Sequence, residues 1–321
     1  MKTDLLEVND LKKYFPISRA SILGAKRVVK AVDGVAFTIR EGETLSLVGE
    51  SGCGKSTTGR AILQLVKPTS GSVLFEGNEI IGTPPKQMRA LRQKMQIIFQ
   101  DPGSTLDRKM TIGESIAEPF LIHRTIPKDE VAFRVAEIMR LVSLDPDFRT
   151  KYPHELSGGQ RQRIGIARAI ALSPRLVVCD EPVSALDVSI KVQILNLLKD
   201  IQQELNLTYL FISHDLGVVR QISNSVAIMY LGRIVELGDV ETIFGAALHP
   251  YTRALLSAVP RARVDQRVEK IVLPGSIPSP VNPPSGCHFH TRCPEAVEEC
   301  RKVEPVLREF SGGHSCSCLR R

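Results

Sequence analysis

The sequence of 321 residues contains no tryptophan, and aromatic side chains make up only 5% of it. No apolar run approaches the ~18 residues that a membrane-spanning helix needs. The opening Met1-Lys2-Thr3-Asp4 leads into mixed polar sequence rather than a signal peptide. Formal net charge is +7, yet no block of Lys or Arg exceeds a pair and no basic face is interleaved with aromatics. These absences argue against a membrane-embedded, a secreted and a nucleic-acid-binding chain. They predict a chain made and kept in the cytosol, with a basicity suited to an anionic membrane surface or an anionic ligand. No C-x-x-C pair occurs among the 7 cysteines. Five of them, Cys287, Cys293, Cys300, Cys316 and Cys318, crowd the C-terminal end, and in a reducing compartment such a cluster argues for metal over disulfides. What is present is an ordinary globular composition, 43% hydrophobic and 24% charged, at a length that suggests about two domains.

The organising stretch is Gly49-Glu50-Ser51-Gly52-Cys53-Gly54-Lys55-Ser56-Thr57, which fits the phosphate-binding pattern G-x-x-x-x-G-K-[ST]. Thr44 to Val48 reads as a short buried strand before it. Ala61, Ile62, Leu65 and Val66 share one helical face after it. Glycines at 49, 52 and 54 let consecutive backbone N–H groups turn inward toward phosphate oxygens. The helix starting near Lys55 adds its positive end. Lys55 supplies a mobile cation for the outer phosphates, and the Ser56 hydroxyl can ligate Mg²⁺.

The remaining pattern predicts an α/β fold with a mainly parallel central sheet. Strands over Val32 to Ile39 and Gly71 to Gly77 make an N-terminal antiparallel part. Helical character begins at Pro102, with Ala132, Val135, Ile138, Met139 and Val142 as its stripe, and an inserted helical subdomain is placed at about residues 102–165. The continuous apolar run Leu176 to Cys179 suits a buried parallel strand. A long amphipathic helix follows through Ile190, Ile194 and Leu205, then a strand from Tyr209 to Ser213. A hairpin is expected around Leu231-Gly232. No internal repeat occurs, so a single nucleotide domain is expected over 1–255. Beyond it lies an irregular Cys-rich extension, 256–321, with many Pro, Ser and Gly at 274–286.

The apolar strand ending at Cys179 delivers Asp180 and Glu181 beside the phosphate loop. Asp180 is placed to hold Mg²⁺ and Glu181 to orient or deprotonate attacking water. Leu156-Ser157-Gly158-Gly159-Gln160 closely resembles the signature of ATP-binding-cassette (ABC) ATPases. The rest of that set follows in its order: Gln100 resembles the Q-loop glutamine and a second Mg²⁺ contact, Ser184 to Asp187 the D-loop, and His214 the switch histidine. Ser157 and the two glycines also open a helix from about Gly159 to Leu172, a second positive helix end suited to a γ-phosphate. The resemblance implies that this end contacts ATP on a partner domain, so the chain acts as half of a dimer. It implies that Lys55, Glu181, His214 and Gln100 are catalytic or coupling groups. Phe15 is the choice for the aromatic stacked on adenine, with Tyr14 as its rival.

Cys179 to Ser189, Met229-Tyr230-Leu231-Gly232 and His249-Pro250-Tyr251-Thr252 look like the oligopeptide/dipeptide importer ATPases, more the F-type than the D-type subunit. The likeness implies a D-type partner ATPase, two permeases and an extracytoplasmic binding protein. It places the chain peripherally on the cytoplasmic face of the inner (plasma) membrane, without direct nucleic-acid contact. Relatives move nickel, sugars or other small solutes, and a soluble, non-transport ABC ATPase is the more distant alternative. The tail resembles the ligand set of a [4Fe–4S] cluster through Cys287, Cys293, Cys300 and Cys318, with Cys316 as the alternative fourth ligand and zinc as the less favoured metal.

Overall fold

The computed structural model describes residues 3–17, 27–259 and 270–321. Strands β1 (Asp4–Pro16) and β2 (Val28–Arg40) come first. Strand β3 (Thr44–Val48) precedes helix α1 (Lys55–Ile62), and β4 (Ser70–Phe75) and β5 (Asn78–Glu79) form a hairpin. Helix α2 (Pro85–Lys94) leads to β6 (Met95–Ile98). Helices α3 (Pro102–Thr105), α4 (Ile112–His123), α5 (Val131–Leu141) and α6 (Gly158–Ile170) follow. Next come β7 (Leu176–Asp180), α7 (Val188–Leu205), β8 (Thr208–Ser213) and α8 (Leu216–Ile222). The chain continues through β9 (Ser225–Tyr230), β10 (Arg233–Asp239), α9 (Val240–Ala246) and α10 (Pro250–Ser257), and ends with β11 (Arg308–Ser311) and β12 (His314–Cys316). The fold is α/β, with an antiparallel N-terminal sheet and parallel and antiparallel pairing among the remaining strands. Among the described residues, no helix is long and apolar enough to cross a membrane.

The chain divides into two compact units. The first comprises Met1–Leu5, Ile39–Glu43 and Gly82–Ile212. Its strands β6, β7 and β8 are parallel, with Ile98 opposite Cys179 and Cys179 opposite Phe211. All of β7 is buried, as its continuous apolar run requires. Helix α4 starts in a capping box: Thr111 Oγ1 accepts the Glu114 N–H, and Glu114 accepts the Thr111 N–H. The helical stripe of α5 buries Val131, Val135, Ile138 and Met139 and continues to Val142. Ala132, expected on that stripe, is exposed instead, because the face that repeats at intervals of four, three, one and three starts at Val131.

The second unit comprises Leu6–Thr38, Thr44–Ile81 and Ser213–Arg321. Its antiparallel sheet runs β2-β1-β4-β5, with Leu6 opposite Phe75. A second set runs β11-β12-β10-β9-β3. Only β9 and β3 are parallel there, Leu47 facing Ala227. The turn between β9 and β10 has positive φ at Leu231 and Gly232, as a two-residue hairpin of the favoured twist demands. The core of this unit gathers Tyr230, Tyr251 and Phe289, ring centroids 4.8–5.4 Å apart, and buries Val226, Ile228 and Ile243 around them.

Two further expectations need correction. Helix α1 stops at Ile62, so Leu65 is not on its face but 46% exposed. Gln64 takes positive φ there, and the N–H groups of Leu65 and Val66 both return to the Arg60 carbonyl, which closes the helix before Pro68. The C-terminal extension is irregular over 270–286 but not throughout. Strands β11 and β12 form a hairpin, and β12 pairs with β10, Cys316 facing Glu236.

Candidate active site

In the second unit, β3 ends in the Gly49–Thr57 loop, which α1 follows. The loop packs too closely to admit side chains at Gly49 and Gly54. A Cβ on Gly49 would lie 2.1 Å from the Met229 carbonyl oxygen, and one on Gly54 would lie 2.0 Å from that of Ala31. Gly54 also caps α1 at φ 110°, open only to glycine. Lys55 is buried, and its ammonium donates to the carbonyl oxygens of Gly49 at 2.7 Å and Glu50 at 3.0 Å. Burial pushes the Cys53 thiol up despite the Lys55 cation nearby. Cys53 is thereby a neutral packing residue of the loop.

Glu50 is held from the side. Arg292 donates to both its carboxylate oxygens, at 2.7 and 3.2 Å. The Tyr251 hydroxyl accepts the Glu50 N–H at 3.1 Å and donates to its carboxylate at 3.4 Å. Tyr251 stands in a segment that the sequence singled out, but neither it nor Arg292 could be read as a neighbour of Glu50, because they lie 201 and 242 residues from it. His214 follows β8, is exposed, and immediately precedes the N-cap Asp215 of α8, which accepts the N–H groups of Gly217 and Val218. At the end of β1 the two aromatics differ. The Tyr14 hydroxyl donates to Asp33, which Arg233 also engages at 2.7 Å, while the Phe15 ring is 37% exposed with the Lys13 ammonium 4.8 Å above it. Burial pushes the Asp33 carboxyl up, but the hydrogen bonds from Tyr14 and Arg233 outweigh it and hold the group below the usual carboxylate range.

In the first unit, β7 carries Asp180, which is buried, and Glu181, the residue just after it. Glu181 sits at φ 47°, a backbone region rare for a residue with a side chain, and its N–H donates to the Ile212 carbonyl. The Gln100 side-chain amide donates to the Glu181 carboxylate at 3.2 Å. Ser184 follows in the turn that leads to Asp187, the N-cap of α7. Ser157 caps α6 in a reciprocal box, its Oγ accepting the Gln160 N–H while the Gln160 side chain accepts the Ser157 N–H. Gly158 and Gly159 form the first turn of that helix.

The C-terminal cysteines are all reduced thiols. Burial pushes Cys287 up, with Cys300 and Cys318 adding to the shift as neighbours. Burial holds Cys293 at about 11, with Cys287 and Cys318 among its neighbours. Cys316 interacts instead with Glu236 and Cys318. Among the described residues, no group of three Cys, His, Asp or Glu side chains is arranged to hold a metal ion. A single zinc at about 2.3 Å from each sulfur therefore does not fit this arrangement.

Comparison with known proteins completes the picture. Residues 32–184 match the ABC transporter family, and residues 235–300 match the C-terminal region of oligopeptide/dipeptide transporters. The chain is 53% identical over 321 residues to the oligopeptide transport ATP-binding protein OppF of Escherichia coli, covering 98% of this chain and 96% of that protein. It is 50% identical over 317 residues to AppF of Bacillus subtilis, an oligopeptide transport ATP-binding protein, with 98% and 96% covered. Among solved structures, the ATP-binding cassette MJ0796, a dimer bound to ADP and phosphate, superposes with a TM-score of 0.66 at 27% identity, covering 74% of this chain and 99% of that one. The cbiO1 subunit from Clostridium perfringens gives 0.65 at 28%, covering 76% and 92%. The chain belongs to the ATP-binding proteins of the ABC transporter family, in the group that carries the oligopeptide/dipeptide transporter C-terminal region.

Proposed function

We propose that this chain is the ATP-hydrolysing motor subunit of a membrane importer for di- and oligopeptides. The observation that carries the reading is full-length similarity at about half identity to oligopeptide transport ATP-binding proteins, together with an intact set of Lys55, Gln100, Ser157, Asp180, Glu181 and His214. Residues 1–255 form the cassette and 256–321 the transporter-specific extension. The Gly49–Thr57 loop takes the phosphates of ATP, with Lys55 turning from the Gly49 and Glu50 carbonyls toward the outer phosphates. Ser56, Gln100 and Asp180 are the oxygen-bearing residues that would hold Mg²⁺, which would draw charge from the phosphate oxygens. Glu181 orients and deprotonates the attacking water, and His214 positions the γ-phosphate. Phe15 stacks on adenine; its ring is the accessible one of the aromatic pair, since the Tyr14 hydroxyl is engaged by Asp33.

Ser157 to Gln160 and Asp187 act across a dimer of cassettes, the partner being a D-type ATPase subunit. Two permeases anchor the pair to the cytoplasmic face of the membrane, and an extracytoplasmic binding protein delivers the peptide. The hydrogen bond from Gln100 to Glu181 supports a coupling role, because a partner that moves Gln100 also moves the proposed base. A docking face is supported by the cavity of about 520 Å³ lined by Lys86, Arg89, Gln93 and Arg124, beside exposed Leu121 and Ile122. Cys287, Cys293, Cys300 and Cys318 hold a [4Fe–4S] cluster in this reading. The neighbourhood of Cys287 with Cys300 and Cys318, and of Cys293 with Cys287 and Cys318, supports the set; Cys316, which faces Glu236 and also neighbours Cys318, is the alternative fourth ligand.

The test is anaerobic affinity purification from native membranes in mild detergent, with mass spectrometry and metal analysis. Two permeases, a second ATPase and about four irons per chain are expected. A chain that comes down alone, or with ribosomes, overturns the transport reading, and a metal-free chain overturns the cluster.

A further inference from the structure

The phosphate-binding loop contains a carboxylate. Glu50 is the second residue of a loop proposed to take a highly anionic ligand, and a bare negative charge there opposes binding. The structure supplies the counter-charge from the far end of the chain. Arg292 forks onto both Glu50 oxygens in the bidentate geometry that only a guanidinium offers. Its side chain is only 8% exposed, whereas that of Glu50 is 28% exposed and so within reach of solvent ions once the guanidinium is removed. Arg292 is itself fixed: its N–H donates to the Phe289 carbonyl at 2.9 Å, and its guanidinium lies 5.9 Å from the centre of the Tyr230 ring. Phe289 and Tyr230 are buried in one aromatic cluster with Tyr251, whose hydroxyl takes the Glu50 N–H. Glu50 is thus gripped at its carboxylate and at its backbone, while its carbonyl accepts from Lys55.

We propose that Arg292 is a positioning residue of the nucleotide site, which acts through Glu50 by neutralising its carboxylate at the entry to the phosphate loop. The inference rests on the reading of Gly49–Thr57 as that loop. It gives the C-terminal extension a direct part in ATP binding.

The test is equilibrium binding of a fluorescent ATP analogue to the full-length chain. Arg292→Met leaves the carboxylate unpaired beside the polyphosphate and is expected to weaken binding about tenfold. Adding Glu50→Gln to that variant removes the stranded charge, and binding should return close to wild type. Arg292→Lys, which keeps the charge without the fork, should fall between. The defect of Arg292→Met should shrink on going from about 0.1 M to about 1 M salt. A merely structural role would produce neither the rescue by a second substitution nor the salt dependence. Wild-type affinity in Arg292→Met, or a double variant as weak as the single one, overturns the proposal. If Arg292→Met does not fold, Glu50→Gln alone decides: binding should tighten, because the cation then stands uncompensated, and weaker binding overturns the idea. Lys55→Ala separates the two levels. If it binds nucleotide normally, the loop reading itself fails; if it loses binding while the Arg292 variants keep theirs, only the present inference fails.

Discussion

Glu236 offers the sharpest test of how the C-terminal hairpin is attached. It lies on β10 with its carboxylate fully buried. One oxygen accepts the Leu248 N–H at 2.6 Å and faces His314 Nε2 at 2.8 Å; the other accepts the His249 N–H at 3.0 Å. Glu236→Ala strands three polar groups away from water. Each buried group left without a partner costs about 1–3 kcal/mol, and allowing for relaxation the loss should be about 4 kcal/mol. That is a large part of the roughly 5–15 kcal/mol that holds a domain folded. Glu236→Gln keeps one acceptor and should lose about half as much. The loss should appear first where β12 sits on β10, because Cys316 faces Glu236 directly. Urea titration followed by thiol labelling reads this. Cys316 and Cys318 are buried in the native chain and should label only on unfolding. With an m-value of about 2 kcal/mol/M, the labelling midpoint should drop by about 2 M in Glu236→Ala. An unchanged midpoint, with Cys316 still protected, would refute the claim that this carboxylate pins the tail.

Further predictions concern catalysis, pH and nucleotide recognition. Glu181→Gln should lower ATP turnover by about 10²- to 10⁴-fold while leaving ATP binding intact; equal turnover in a phosphate-release assay removes Glu181 as the base. His249 is buried and held neutral, titrating at about 3 through burial and then the Arg253 charge. The unfolded chain takes up this proton below about pH 6.5, while the folded chain refuses it until about pH 3, so stability falls as pH drops through that window by up to about 1.4 kcal/mol per unit. His249→Asn keeps an N-cap acceptor for the Tyr251 N–H and should flatten the slope between pH 7 and pH 5 in thermal unfolding; an unchanged slope assigns the acid sensitivity elsewhere. Phe15→Ala should weaken nucleotide binding about three- to tenfold, whereas Tyr14→Phe should leave it unchanged and lose only the Asp33 hydrogen bond; the reverse outcome in a binding titration makes Tyr14 the adenine platform.

The parts of this protein that could be read before any coordinates are those whose physics is local. The glycine spacing of 49–57 is dictated by the loop's own backbone and by how closely it packs, and the buried runs of β3 and β7 are short apolar strings that announce themselves. The capping box of Ser157 and Gln160 spans only three residues, so the start of α6 is written in the sequence. The Asp180-Glu181 pair is legible for the same reason, since it stands at the end of a dry strand.

Other features were decided by contacts the sequence does not announce. Helix α1 ends at Ile62 because Gln64 turns to positive φ and two amides share the Arg60 carbonyl, although the apolar spacing runs on to Val66. The β11–β12 hairpin has strands of four and three residues, too short for alternation to show, and it exists because β10 offers an edge and Glu236 a buried partner for His314. Among the described residues, no group of three Cys, His, Asp or Glu side chains is arranged to hold a metal ion, which no spacing of cysteines could decide. The pairing of Arg292 with Glu50 closes a gap of 242 residues. The order of residues along the chain thus determined the chemistry that is available, the loop, the carboxylates and the signature helix. Which charge neutralises which, and where the cysteine-rich tail attaches, was settled only by folding, because those energies depend on burial and on partners brought together through space.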